Sequence, residues 1–283
     1  MVRYHPFQDR ATAIANKFLS RVPNTSTHFL CLQRDKVGNG LLDRIVAPHL
    51  IQQGPAGLCG PASLLFDLAS RDPETYAKFV ISLFENGSGR IRNLEVKPNR
   101  ALKIALTPAN MDQVDWLTMA SIRNSENTIF FDYDAPSGNY NQFTGMTLPG
   151  EMKGWLKKAG YTEVVDETST TKFLSMSSDN AREASSKYED DWEVFLFIGA
   201  EMLNFHTEHE SSTLPNHWVK LMSKIDLKSH SVKFKVYSWG QGNRQVPGSQ
   251  SDPPPPGVER QGNHSFTEEM FLKNYYGYIA ARF

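Results

Sequence analysis

The sequence is poor in cysteine and has no long apolar run. Its 283 residues include two cysteines, Cys31 and Cys59, too few for a disulfide scaffold and typical of a reducing compartment. Apolar stretches are short, such as Val194 to Ile198, and none reaches the roughly 20 residues that cross a bilayer. Residues 1–20 lack the apolar core of a secretory signal peptide. We therefore expect synthesis in a cytoplasm without a cleaved leader.

The sequence also lacks an excess of charge of one sign. Lys and Arg number 30 against 31 Asp and Glu, so the formal net charge is −1. This balance provides no broad basic field for nucleic acid or for an anionic membrane, and we expect direct binding to neither. Hydrophobic residues make up 40 % of the chain, which is enough for the core of one large domain.

Apolar residues at helical spacing dominate the first half of the chain. Proline after a capping residue marks several helix starts, because the first-turn N–H that proline lacks would be unpaired anyway. The segment with Gly38 and Gly40 is predicted to be a polar connection. The predicted helices are Pro6 to Val22, one from Cys59, one from Asp72-Pro73 to Asn86-Gly87, one from Thr107-Pro108 and one from Leu148-Pro149 to Gly160.

The second half contains strand patterns. We predict an α+β fold, in which a helical N-terminal half packs on an antiparallel sheet from the C-terminal half. Residues 1–46 are assigned to an N-terminal extension, which would be able to cover the cleft, and 47–283 to the catalytic domain. The predicted strands are Glu193 to Gly199, His217 to Leu227, Val232 to Trp239 with a turn at 228–231, and Tyr276 to Arg282, which follows a short helix at Phe266 to Lys273.

The most informative motif places a cysteine at a glycine-flanked helix start. Cys59 lies between Gly57 and Gly60-Pro61. A helix N-terminus offers unpaired N–H donors and a partial positive charge, which favour the nucleophilic thiolate. Gln53, six residues earlier, has an amide that is able to bind an oxyanion together with the Cys59 N–H. This pattern predicts a cysteine nucleophile with an oxyanion hole.

A thiol nucleophile needs a base, and His217 is the best candidate. It begins a predicted strand, and Trp218 beside it is either a shield against water or a core residue. The returning strand brings polar side chains near the imidazole, where one of them would fix its tautomer. Gln241 and Ser238 are the candidates for this third member, and a Cys-His dyad is the alternative.

These motifs resemble the papain family of cysteine proteases. In that family a glutamine also stands six residues before the cysteine, a helix follows it, and the histidine begins a distant strand. The papain hairpin returns to Asn-Ser-Trp-Gly, and this chain has Tyr237 followed by Ser238-Trp239-Gly240. The resemblance implies a papain-like fold and a hydrolase that needs no metal or organic cofactor, with Tyr237 replacing the usual asparagine.

A narrower resemblance is to papain-like domains of bacterial polymorphic toxins and type VI secretion effectors. It covers Gly57 to Lys97, Pro215 to Val219, Tyr237 to Gly240 and Tyr276 to Ala281. It implies delivery into a rival bacterium, cleavage of a cytoplasmic protein there and a cognate immunity protein in the producing cell. Related effectors attack type II DNA topoisomerases.

Other functions stay open. A deamidase or transglutaminase uses the same Cys-His chemistry on the same fold, and a degenerate domain would only bind a partner. His206 and His209 look like metal ligands, but their spacing does not match the His-Glu-x-x-His pattern of zinc proteases, and we expect no metal site.

Overall fold

The computed structural model describes residues 8–54, 56–125, 146–169, 176–203, 215–228, 231–238 and 267–283. These residues form two compact units. The first contains the described residues up to 147 together with 158–160. The second contains 148–157 and the described residues from 161 onward. The first unit is mainly helical and the second contains an antiparallel sheet, so the protein is α+β, as predicted.

The first unit is built from short helices and one small hairpin. Its antiparallel hairpin pairs β1 with β2. Its elements are α1 (Gln8–Leu19), α2 (Arg34–Val46), a 3₁₀ turn (Pro48–Leu50), α3 (Cys59–Arg71), α4 (Pro73–Asn86), β1 (Gly89–Ile91), β2 (Leu94–Val96), α5 (Arg100–Ile104), α6 (Gln113–Asp115), a π-helical segment (Trp116–Ala120) and α7 (Ser121–Ser125).

Helix α4 shows how local chemistry sets its two ends. The Asp72 side chain accepts a hydrogen bond from the Thr75 N–H at 3.0 Å, and Pro73 occupies the first helical position. Gly87 ends the helix in the left-handed region, with φ +65°. These are the ends that the sequence predicted, because cap, proline and glycine are all local signals.

Helix α2 corrects the predicted polar connection around Gly38 and Gly40. Both glycines lie inside a regular helix, where they allow neighbouring helices to come close. A Cβ atom at Gly38 would lie 2.4 Å from Leu19 Cδ2, and one at Gly40 would lie 2.8 Å from Val114 Cγ1. The two glycines therefore do not break the helix; they leave room for the side chains of Leu19 and Val114 to pack against it.

The helix predicted from Thr107-Pro108 begins later, at Gln113. Pro108 starts a turn instead, closed by the Met111 N–H on the Pro108 carbonyl at 3.1 Å. Asp112 is the extended residue immediately before α6. Pro108 therefore marks a turn, and the helix starts only after Asp112, whose side chain makes no capping hydrogen bond.

The second unit is built around a five-stranded sheet. Its strand order is β3–β9–β4–β5–β8, and every neighbouring pair is antiparallel. Its elements are α8 (Pro149–Lys158), β3 (Glu163–Thr168), α9 (Ser178–Glu189), β4 (Glu193–Ile198), a 3₁₀ turn (Ala200–Leu203), β5 (His217–Leu221), β6 (Asp226–Lys228), β7 (Ser231–Lys233), β8 (Val236–Tyr237), α10 (Glu268–Asn274) and β9 (Tyr275–Arg282).

One face of this sheet carries an apolar core. The core combines alternate residues of β4 and β5 with residues of α9 and α10, as expected when side chains on a strand alternate between faces. Its members include Val194, Leu196, Ile198, Val219, Leu221, Ala181, Ala184 and Phe271. Ile198 pairs with His217 in the β4–β5 ladder, so the strand that carries His217 is fixed in register by buried neighbours.

The hairpin after His217 is interrupted rather than continuous. β5 pairs with β8 and β6 pairs with β7, so the two predicted long strands each break in the middle. The Met222 N–H donates to the Lys235 carbonyl at 2.8 Å. The hydroxyl of Tyr188 on α9 donates to the Met222 carbonyl at 2.9 Å. In this part of the hairpin, a side chain of α9 therefore binds a backbone carbonyl that would pair with the neighbouring strand in a regular sheet.

Candidate active site

Cys59 is the first residue of α3 and is buried. Leu58 precedes it at the cap position, where its side chain offers no hydrogen-bond acceptor to the first turn of the helix. The carbonyl of Cys59 accepts a hydrogen bond from the Ser63 hydroxyl at 3.0 Å. The sulfur thus extends from a well-anchored helix start, where the helix dipole favours an anion. Neither cysteine, both of which the structure describes, is in a disulfide.

The loop before Cys59 has tight backbone geometry. Gly54 and Gly57 have φ values of +55° and +64°, a region that residues with a Cβ atom rarely adopt. The Ala56 N–H donates to the Gln53 carbonyl at 3.3 Å and closes a turn. These features set the path of the chain from Gln53 to the start of α3.

Gln53 is buried on this loop, with 7 % of its surface exposed. Its side-chain Oε1 atom has no hydrogen-bond partner within the described part of the chain. A buried amide normally finds partners, because an unsatisfied polar atom costs about 1–3 kcal/mol. This oxygen is an acceptor, so its open capacity is for an incoming donor, whereas an oxyanion would be bound by the side-chain NH₂ group.

The loop is attached at its beginning to a buried ion pair. The Gln52 N–H donates to Oδ2 of Asp115 at 3.0 Å. The same oxygen accepts from Nη2 of Arg44 at 2.7 Å, and Oδ1 accepts from Nε at 3.3 Å. The Arg44 and Asp115 side chains are 4 % and 1 % exposed. A forked, fully desolvated pair therefore holds the residue next to Gln53.

His217 is held at the start of β5 by several contacts. Its Nε2 atom lies 3.0 Å from the Oγ atom of Ser238. The preceding residue, Asn216, donates its N–H to the Ile198 carbonyl at 3.1 Å and accepts from the Ala200 N–H at 2.7 Å. His217 is 7 % exposed. The imidazole is thus buried on a rigid strand, with a hydroxyl on one ring nitrogen.

Trp218 lies on the opposite face of β5 from His217, since neighbouring side chains of a strand alternate. It is fully buried and stacks on Phe197, with ring centroids 4.5 Å apart. Of its two predicted roles, this favours a core residue. Tyr237, at the papain asparagine position, is buried in β8 and pairs with Lys220.

The structure brings the predicted site residues together in two sets. Gln53 and Cys59 belong to one loop and helix in the first unit, whereas His217 and Ser238 meet in the second. Gln241 lies outside the described residues. The pairing of Cys59 with His217 stays a prediction, as does the division of the chain at residue 46.

The described residues contain no group of three or more His, Cys, Asp or Glu placed to hold a metal ion. His206 and His209 lie outside them. Within the same residues, the helices are too short or too polar to traverse a bilayer.

The sequence motifs did not predict two ion pairs, one fully buried and one partly buried. Arg44 with Asp115 supports the loop of Gln53, and Lys220 with Glu193 crosses between β5 and β4. Burial lowers the pKa of Lys220 to about 7. A signal did exist for Arg44, because it follows the buried residues Val37 and Leu41 at helical spacing. That signal becomes visible only once α2 is recognised as a helix.

The chain was also compared with known proteins. No protein-family model, curated protein or solved structure matches it.

Proposed function

We propose that this chain is a papain-like cysteine protease that acts as an antibacterial effector. It would cleave a cytoplasmic protein of a rival bacterium and be held inactive by a cognate immunity protein in the producing cell. The observation that carries the proposal is the position of Cys59. It begins a buried helix after a loop with two glycines in the left-handed region, and Gln53 of that loop is also buried.

In the proposed reaction the Cys59 thiolate attacks the carbonyl carbon of a peptide bond. The Cys59 N–H and the Gln53 amide donate hydrogen bonds to the oxyanion that develops. His217 takes the thiol proton and later gives a proton to the leaving amine, and water then hydrolyses the acyl-enzyme. The reaction requires the imidazole of His217 to come within hydrogen-bonding distance of the Cys59 sulfur.

Ser238 is the proposed orienting group for the imidazole. Its hydroxyl lies near Nε2, so a neutral His217 that donates from Nε2 would use Nδ1 for proton transfer with the thiol. A hydroxyl would then replace the side-chain amide that orients the histidine in papain. This assignment supports a triad rather than a dyad.

The test is expression in a bacterial cytoplasm followed by a proteome-wide search for new protein termini. Wild type should slow growth and create new termini, Cys59→Ala should do neither, and Cys31→Ala should behave as wild type. Cys31 is the matched control because it is the other thiol of the chain. New termini with Cys59→Ala would overturn the proposal. Conversion of Gln to Glu in a target, without new termini, would replace the protease with a deamidase.

A further inference from the structure

The buried ion pair of Arg44 and Asp115 is an unusual way to hold a helical unit together. Taking two charges out of water costs several kcal/mol per ion, and well-packed apolar residues of equal volume are often as stable or more stable. The pair is therefore poorly explained by stability alone. The hydrogen bonds of the pair suggest another role, which is to hold the loop that leads to Cys59, because Asp115 also accepts from the Gln52 N–H of that loop.

Two helices, α2 and α6, set the position of this pair. Arg44 follows Gly40 by one helical turn on α2, and Gly40 packs directly against Val114 of α6. Asp115 is the next residue of α6, so the close approach at Gly40 brings guanidinium and carboxylate together. The exposed residue Asp112 also accepts from Nη2 of Arg44. The carboxylate of Asp115 is thus fixed by elements outside the loop.

The loop also comes close to the residues that precede the same helix. A Cβ atom at Gly54 would lie 3.2 Å from the Asn110 carbonyl oxygen and 3.5 Å from Met111 Cβ. Gln53 lies between this close approach and the Gln52 N–H that Asp115 binds. The residue with the proposed oxyanion amide therefore lies between a hydrogen bond to Asp115 and a close approach to residues 110–111.

We infer that Asp115, held by Arg44, is a positioning residue that sets the location of the oxyanion-binding amide of Gln53. The inference rests on the proposed function and deepens it. Asp115 touches no reacting atom; it acts through the backbone of Gln52. Losing its carboxylate charge should displace Gln53 while leaving the Cys59 thiol in place at the start of α3.

The charge of Asp115 should respond to mild acid. Burial raises its pKa to about 6, although the Arg44 guanidinium acts in the opposite direction. Burial lowers the pKa of Arg44, but Asp115 more than offsets this and the guanidinium stays charged. The other ionisable groups that face the pair are Asp112 and the buried Tyr76 of α4. Oxyanion binding should therefore weaken as pH falls through about 6.

Two small probes separate the position of Gln53 from the reactivity of Cys59. Acylation by p-nitrophenyl acetate passes through an oxyanion, whereas alkylation by iodoacetamide does not. Both reactions use the Cys59 thiolate, so the ratio of the acylation rate to the alkylation rate does not depend on the fraction of Cys59 that is ionised. Asp115→Asn should lower this ratio about tenfold, and Gln53→Ala should lower it at least as much. Asp67→Asn is the control, because it alters a buried carboxylate that pairs with Arg71 on α3.

The ratio should also fall below pH 6 in wild type and be independent of pH in Asp115→Asn. If Asp115→Asn does not fold, the double variant Arg44→Met with Asp115→Leu removes both charges and should lower the ratio equally. An unchanged ratio in a folded variant, while Gln53→Ala lowers it, overturns the positioning role alone. If Gln53→Ala leaves the ratio unchanged, or wild type is not acylated at all, the oxyanion assignment fails and this inference fails with it.

Discussion

The Nε2 atom of His217 lies 3.0 Å from the Oγ atom of Ser238, although 20 residues separate the two in the chain. Register explains the contact. Lys220 pairs with Tyr237, so Ser238 continues the strand opposite Val219 and is a diagonal neighbour of His217 on the same face. The hairpin that carries the proposed base therefore also carries the hydroxyl that we propose as its orienting group.

Removing the Ser238 hydroxyl should reduce turnover. Ser238→Ala is expected to lower kcat about tenfold, because the imidazole loses the partner that fixes its tautomer and orientation. Ser238→Thr keeps the hydroxyl and should restore most of the rate. The measurement is kcat on the substrate identified from new termini, with the exposed Ser186→Ala as control. Equal kcat values for Ser238→Ala and this control would indicate a Cys-His dyad.

A second prediction concerns pH and stability in the first unit. Glu85 accepts hydrogen bonds from Arg21 and from Arg34, whose guanidinium lies over the rings of Phe18 and Phe84. Partial burial raises the pKa of Glu85, but the two arginines outweigh it and the net shift is downward. A carboxylate with a depressed pKa stabilises the fold above its unfolded pKa, and the contribution is lost as pH falls through the folded value.

Glu85→Gln should therefore lower the free energy of unfolding by about 1 kcal/mol at pH 7, and the difference should shrink as pH falls below 4. Urea unfolding at a series of pH values measures this. Glu189→Gln is the matched control, because Glu189 and its partner Lys224 are 57 % and 65 % exposed. A constant difference between Glu85→Gln and wild type from pH 7 to pH 3 would contradict the assignment.

A third prediction contrasts two glycines of the second unit. Gly277 of β9 has φ +99°, and a Cβ atom there would lie 2.0 Å from the Glu167 carbonyl oxygen. Gly277→Ala should cost more than about 3 kcal/mol, because strain and a backbone clash add together. Gly154→Ala, in α8 with no atom within 4 Å of the added methyl group, should instead gain about 0.5–1 kcal/mol. Thermal unfolding of both variants would show opposite shifts in Tm.

A fourth prediction concerns the start of α4. The Asp72 carboxylate accepts from the N–H and the hydroxyl of Thr75, at 3.0 and 2.7 Å. Asp72→Ala should destabilise the protein by about 1 kcal/mol, and Asp72→Ser should recover most of this, because serine caps equally well. The two midpoints in urea provide the test. If Asp72→Ser were as unstable as Asp72→Ala, the effect would arise from charge, such as the contact with Arg92, and not from capping.

Local signals account for the parts of the fold that the sequence predicted well. Proline, an aspartate cap and a left-handed glycine define α4 within its own residues, and the apolar run of β9 similarly defines the last strand. Helix α2 could not be found in this way. Its glycines have low helix propensity, and the contacts that compensate come from α1 and α6, which are distant in sequence.

In the candidate site, too, the features set by local sequence could be predicted and those set by distant contacts could not. The spacing of Gln53 and Cys59 is local, so both could be selected from the sequence alone. The contact of Ser238 with His217 depends on strand register. That register depends on the irregular segment between β5 and β6, where the Ile225 N–H donates to the Ser185 hydroxyl of α9. The support of the Gln53 loop by Asp115 spans 63 residues and has no signature within the motif.

The contact between Gly40 and Val114 has a consequence for genetics. A selection for loss of the proposed activity should recover substitutions at position 40 as well as at Cys59, because a methyl group at Gly40 would lie 2.8 Å from Val114 Cγ1 and the local packing of α2 on α6 would have to shift. Such alleles would imitate active-site lesions while their thiol stays chemically intact. Thiol labelling of the recovered proteins distinguishes the two classes of allele.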